Sequence, residues 1–194
     1  MADGIERHPF EPFLPEKARA LFLGSFPPQP NRWSMEFYYP NFINDFWRII
    51  GIVFFGDKEH FVDVKARKFN LPDIVSFCRE KGIAMFDTAT AVRRLKDNAS
   101  DKFLEVVEPT DVPELLRRIP FCEAVVTTGD KATQTLCGTF GIPAPAVGEF
   151  SEYLFEGRRM RLYRMPSTSR AYPLQIHKKA DAYRRLFKDL GIIF

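Results

Sequence analysis

Cysteine and histidine are scarce in this 194-residue chain, with three of each. Cys78, Cys122 and Cys137 are odd in number and far apart, and no CxxC pair exists, so neither a disulfide framework nor a zinc or iron–sulfur site is indicated. His8, His60 and His177 are scattered, so a metal site would have to be assembled from distant segments; no metal and no cofactor are expected. No apolar run approaches the ~18 residues that a membrane span requires. The segment from Met1 to Pro15 carries acids and prolines and lacks the apolar core of an export signal. Internal repeats, low-complexity tracts and linker-like stretches are absent as well. The expectation is a cytoplasmic monomer with reduced, buried thiols and no membrane partner, folded as one domain over residues 1–194.

What is present is apolar and aromatic. Hydrophobic residues make up 45% and charged residues 27%, a globular rather than a disordered composition. Phe alone occurs 20 times, too often for most of the rings to lie outside a core. The net charge of +3 hides an uneven distribution: Arg158 to Lys188 holds ten Lys/Arg against one Asp, which leaves the remainder acidic. A basic C-terminal third suits either a face that meets an anion or a solvated helix with basic ends.

The apolar runs alternate with helical patterns. Arg19 to Ser25 reads as a buried strand ended by Gly24 and Pro27-Pro28. Asn44 to Phe55 reads as a helix burying Phe46, Trp47 and Ile50, and Pro72 to Lys81 as another, stopped by Gly82. Ile83–Asp87 and Ala124–Thr128 are further strands. Between them a third helix starts near Thr110 as its N-cap, and Gly129 starts a fourth. Tyr153 to Tyr163 reads as a hairpin turning at Glu156-Gly157, whose second arm, Met160–Arg164, is the last core strand. Pro173 opens the terminal helix, whose stripe runs through Ile176, Ala180, Tyr183, Phe187 and Leu190. The fold class expected is α/β: a three-layer α/β/α sandwich around a mostly parallel sheet of about four strands.

Ligands of such sheets bind beyond the carboxyl ends of the strands. Two unusual loops fall there. The first runs Gly24-Ser25-Phe26-Pro27-Pro28 on to Tyr38-Tyr39-Pro40-Asn41-Phe42-Ile43-Asn44-Asp45-Phe46-Trp47. The second is Met165-Pro166-Ser167-Thr168-Ser169-Arg170-Ala171-Tyr172-Pro173, preceded by Arg164. Three consecutive hydroxyls between two arginines can grip phosphates, or can form a polar turn that caps the last helix. Asp87, at the end of its strand, reads either as a residue that orients a group in a pocket or as a cap for the chain that follows it, and the cap is the expectation. Thr128-Gly129-Asp130-Lys131 lacks the spacing of a phosphate loop. Arg93, Arg94 and Lys96 suit either DNA or solvent.

Together the two loops resemble the uracil-DNA glycosylase superfamily, most closely its hypoxanthine-DNA glycosylase branch, which is related to the mismatch-specific uracil glycosylases. The resemblance covers Leu21 to Trp47 and Leu162 to Tyr172 in detail, with Gly82-Ile-Ala-Met-Phe-Asp the best local match between them. It implies that Asn44 is catalytic and that Tyr39 stacks on a flipped base. Gly24, Ser25 and Phe26 would line the base pocket. Ser167, Thr168 and Ser169, with Arg164 and Arg170, would hold DNA, Arg170 standing near the position of a side chain pushed into the vacated stack. The partner implied is double- or single-stranded DNA carrying a damaged base, in a nucleoid-associated setting.

The implied activity is hydrolysis of the N-glycosidic bond to a deaminated base, hypoxanthine or uracil, after the base has been flipped out. Neither loop offers the pair of carboxylates that sugar-transferring hydrolases use. A deaminated base is the better leaving group, because its own carbonyls stabilise the departing anion, and fixed donors can do much of the remaining work. Neither loop centre carries a lysine, so no Schiff base is expected. This chain has Phe26 where the mismatch-specific relatives carry Asn, Asn41-Phe42 where the branch has His-Pro, and Arg170-Ala171-Tyr172 where it has Pro-Ala-Asn. These departures motivate a second reading, a DNA-binding protein that keeps the fold without the reaction. A nucleoside hydrolase is a third, with no use for a phosphate-gripping loop.

Overall fold

A computed structural model describes residues 4–96 and 103–194. The chain opens with a short strand, β1 (Ile5–Arg7), before the wholly buried β2 (Ala20–Gly24). After the first long loop comes α1 (Phe46–Phe55), closed by Gly56 at a positive φ of 69°. A two-residue ribbon, β3 (Val62–Asp63) and β4 (Lys68–Phe69), leads to α2 (Leu71–Lys81), where the Asn70 side chain accepts the Asp73 amide. Next are β5 (Ile83–Asp87), β6 (Ala89–Arg94), β7 (Leu104–Pro109) and α3 (Val112–Arg118). The chain continues through β8 (Ala124–Thr128), α4 (Asp130–Phe140), β9 (Phe150–Phe155), β10 (Arg158–Met165) and α5 (Ile176–Asp189).

The central sheet has the order β5-β2-β8-β10-β9. The first four strands are parallel, and helices flank them. The fifth strand is the one not expected: the first arm of the hairpin, β9, joins the edge antiparallel to β10. Its turn is tight because Glu156 and Gly157 both take positive φ, the geometry that matches the twist of the two strands. On one face Phe22 of β2 meets Phe46 of α1 and Phe187 of α5, and this places the start of α1 over the sheet.

Helix α1 begins at Phe46 rather than Asn44, and the hairpin arms start at Phe150 and Arg158 rather than Tyr153 and Met160. Three further features differ from the sequence reading. The terminal helix begins at Ile176 rather than Pro173, because Leu174 N–H is spent on the Tyr172 carbonyl and Gln175 remains extended. The cap of α3 is Asp111, which accepts the Glu114 amide at 3.0 Å; Thr110 instead donates its hydroxyl to the Asp87 carbonyl at 2.7 Å. The stretch after β5 carries two strands rather than a connection. With β1 they form a separate antiparallel sheet, ordered β1-β6-β7. This small sheet ties the N-terminal segment to the end of β5.

Candidate active site

Parallel register brings the carboxyl ends of four strands to one edge. Gly24 pairs with Asp87, and Thr128 with Met165. Beyond them lies a cavity of about 740 Å³, of the size that small-molecule sites occupy. Gly24, Ser25, Phe26, Tyr39, Asn44, Ser167, Thr168, Ser169 and Arg170 all line it, so residues more than a hundred positions apart meet in one place. Arg164 does not line it. Its guanidinium is held by the Asp130 carboxylate at 2.7 Å and the Pro145 carbonyl at 3.1 Å, away from the loop it precedes.

Tyr39 sits at the centre of one wall. Its φ of 54° is left-handed, a costly backbone for a residue with a side chain. The ring stacks on Phe46, centroids 3.9 Å apart and planes 9° from parallel, and the phenol shares a hydrogen bond of 2.8 Å with the Thr128 hydroxyl. Strand end, helix start and loop therefore fix one ring. Phe26 is buried among Ala89, Val92 and Leu104 of the small sheet.

Asn44 lies just ahead of α1, and its Oδ1 accepts the Phe46 backbone N–H at 2.9 Å. That bond defines which end of the amide is oxygen. Around it the backbone is clamped. Arg48 donates to the carbonyls of Phe42 and Asn44, and the Asp45 amide donates to the Thr168 carbonyl at 2.9 Å. The Arg48 guanidinium is held below its ordinary value by burial and then by the nearby Arg170 charge.

The two loops are joined a second time through charge. The Asp45 side chain is 9% exposed and accepts from Arg170 Nε at 3.0 Å. Lys179, from α5 and 1% exposed, stands 3.7 Å from the other Asp45 oxygen and donates to the Ser169 carbonyl at 2.7 Å. Burial lowers the Lys179 pKa, and the Asp45 charge opposes that shift. A buried carboxylate held by two cations leaves the cluster one charge positive, and Arg170, 51% exposed, carries that excess to the cavity.

Sequence reasoning favoured the wrong role for one of these residues and missed others. Asp87 is no cap: its carboxylate is in the cavity wall, with Oδ2 2.9 Å from His8 Nε2. Its Oδ1 lies so close to Gly24 that a β-carbon there would overlap it. The one available signal was register, since Asp87 ends its strand opposite Gly24. His8 and Lys179 carry no local motif, and Asp45 and Thr128 lie inside quoted segments without a signal of their own. Among the described residues no cluster of three or more metal-ligating side chains occurs, and no helix is long and apolar enough to cross a membrane.

No family profile matches the chain, and no curated protein matches it in sequence. Its fold is similar to that of a candidate uracil DNA glycosylase from Methanosarcina acetivorans, solved by solution NMR. The two share 21% identity over 96% of this chain and 99% of that one, with a TM-score of 0.61. At that identity the likeness defines the class of fold alone: an α/β domain with the architecture of that neighbour.

Proposed function

We propose that this protein is a monofunctional DNA glycosylase that removes a deaminated base, uracil or hypoxanthine, from DNA. One observation carries the reading. Asn44, the Tyr39 ring, the Asp87 carboxylate and the hydroxyl-rich loop ending at Arg170 converge on one cavity at the carboxyl ends of the parallel strands.

In this reading the flipped base stacks on Tyr39, which Phe46 backs, so the ring is rigid before the base arrives. Asp87 Oδ1 accepts the ring N–H that uracil and hypoxanthine share; cytosine and adenine present a bare nitrogen at that position. The amide of Asn44 has capacity beyond its bond to Phe46. The oxygen has a second lone pair that can orient water, and Nδ2 can donate to a base carbonyl. Water then adds its oxygen to the sugar carbon C1′, the C1′–N bond breaks, and its electron pair leaves on the base. The water proton passes to solvent, leaving an abasic site. Donors aimed at the departing anion lower the barrier. Ser167, Ser169 and Arg170 hold the flanking phosphates, while Thr168, expected beside them, is 2% exposed and ties the loop to the Asp45 amide through its carbonyl.

A specific observation favours the second reading, DNA binding without the reaction: the Asn44 oxygen already serves α1. Duplexes carrying uracil, hypoxanthine, xanthine or a T mismatch, incubated with the protein and then cleaved at abasic sites, separate the two. Strand breaks at uracil or hypoxanthine are expected. Binding to all four with no abasic product would replace the enzyme by a DNA-binding protein.

A further inference from the structure

His8 belongs to neither motif loop, yet it touches two walls of the cavity. It follows β1, and its side chain is 4% exposed. Nε2 lies 2.9 Å from Asp87 Oδ2, and the ring meets Phe26 nearly edge-on with centroids 5.3 Å apart. Phe86, the residue before Asp87, packs on the same ring at 4.5 Å. The Nδ1 atom has a choice of partner within one residue: the Phe10 carbonyl oxygen at 2.9 Å and the Phe10 backbone nitrogen at 3.1 Å.

That choice has a chemical meaning. A neutral ring with its proton on Nε2 donates to Asp87 while Nδ1 accepts the Phe10 N–H. A protonated ring donates to Asp87 in the same way, and its Nδ1–H turns to the Phe10 carbonyl. Only a proton on Nδ1 alone would set a lone pair against the carboxylate. Gaining or losing a proton therefore leaves the donor to Asp87 in place.

We propose that His8 is a positioning residue for base selection: it occupies Asp87 Oδ2 in either charge state, so that Oδ1, beside Gly24, is the acceptor presented to the flipped base. This inference rests on the glycosylase reading. It adds to that reading the residue that fixes the angle at which Oδ1 meets the ring N–H of the base. A carboxylate free to rotate would offer either oxygen at a range of angles, and discrimination by a hydrogen bond depends on angle.

The test separates the two nitrogens of the ring. His8→Asn keeps a polar group at the place of Nδ1, against Phe10, and withdraws the donor from Asp87. His8→Gln reaches Asp87 with its amide. Binding is measured to duplexes with 2′-fluoro-2′-deoxyuridine or 2′-fluoro-2′-deoxycytidine, whose fluorine blocks hydrolysis, and thermal unfolding of both variants is followed alongside. The wild type and His8→Gln are expected to prefer the uracil duplex. His8→Asn is expected to lose about tenfold of that preference, the worth of one hydrogen bond to a charged group. An intact preference in both variants, whatever their melting temperatures, would mark a structural role and overturn the proposal alone. Absence of a preference in the wild type would overturn Asp87 as the selecting acceptor and this proposal with it, whereas the glycosylase reading falls only if no abasic product forms.

Discussion

Asn44 Oδ1 accepts the backbone N–H of Phe46 at 2.9 Å, so the residue that faces the cavity also satisfies the first backbone donor of α1. Two roles share one side chain, and substitutions can part them. Asn44→Ala should lower stability, and with it the melting temperature, by the worth of that hydrogen bond, about 1 kcal/mol. It should also slow base release by on the order of 100-fold or more if the amide orients water and base. Asn44→Asp and Asn44→Ser retain an oxygen for Phe46 and should recover the melting temperature, while neither recovers the rate. Full activity in Asn44→Ala would remove this residue from the chemistry.

Arg164 and Arg170 invite opposite outcomes. Arg170 is half exposed at the cavity, whereas Arg164 is tied to Asp130 and Pro145. Arg170→Glu should weaken DNA binding regardless of sequence and reduce the slope of log K against log salt by about 0.9 for each phosphate that is no longer neutralised. Arg164→Glu should lower stability and leave that slope unchanged. Equal effects on the slope would mean that Arg164 turns to the phosphates when DNA binds.

Lys179→Met leaves the Ser169 carbonyl without its donor and the Asp45 carboxylate with Arg170 as its remaining cation. Breaking one partner out of a buried pair costs about 3 kcal/mol. Calorimetry should show that loss, and Asp45→Asn added to Lys179→Met should restore part of it, since the buried charge then has nothing to miss. Strict additivity of the two substitutions would show that the pair is not coupled.

The thiols should be inert in the native state. Burial pushes Cys122 up to about 12 and also raises Cys78 and Cys137. The reactive thiolate is thus scarcer at pH 8 than in an unfolded chain. Iodoacetamide followed by mass spectrometry should label the protein slowly when folded and at all three positions in denaturant. Rapid native labelling of Cys78 or Cys122 would contradict their burial.

No lysine lines the cavity among the described residues. Borohydride added during turnover should trap no covalent complex with DNA; a trapped complex would point to a Schiff base and a different chemistry.

Much of this architecture was written locally. The runs Ala20–Gly24, Ile83–Asp87 and Ala124–Thr128 are short, apolar and bounded by turn residues, as buried parallel strands must be. The two loops announced themselves by composition, and the cavity joins them. The small sheet did not, because Leu104–Pro109 alternates weakly and buries little, and the strand that β6 meets on its other side, β1, lies more than eighty positions away. The same holds for single side-chain pairs. His8 and Asp87 are 79 positions apart, and Arg164 looks free until Asp130, 34 positions away, comes beside it. Pairings of that range leave no spacing to read.

The close approach of Asp87 to Gly24 makes these two positions one unit of variation. A side chain added at 24 must displace a carboxylate that His8 and the neighbouring strand hold in place, so single substitutions there should fail together, whatever residue is introduced. A shorter residue at 87 would open the space. Libraries that aim to change which base this cavity accepts therefore have to randomise 24 and 87 jointly, and natural relatives with a larger residue at 24 should carry a smaller one at 87.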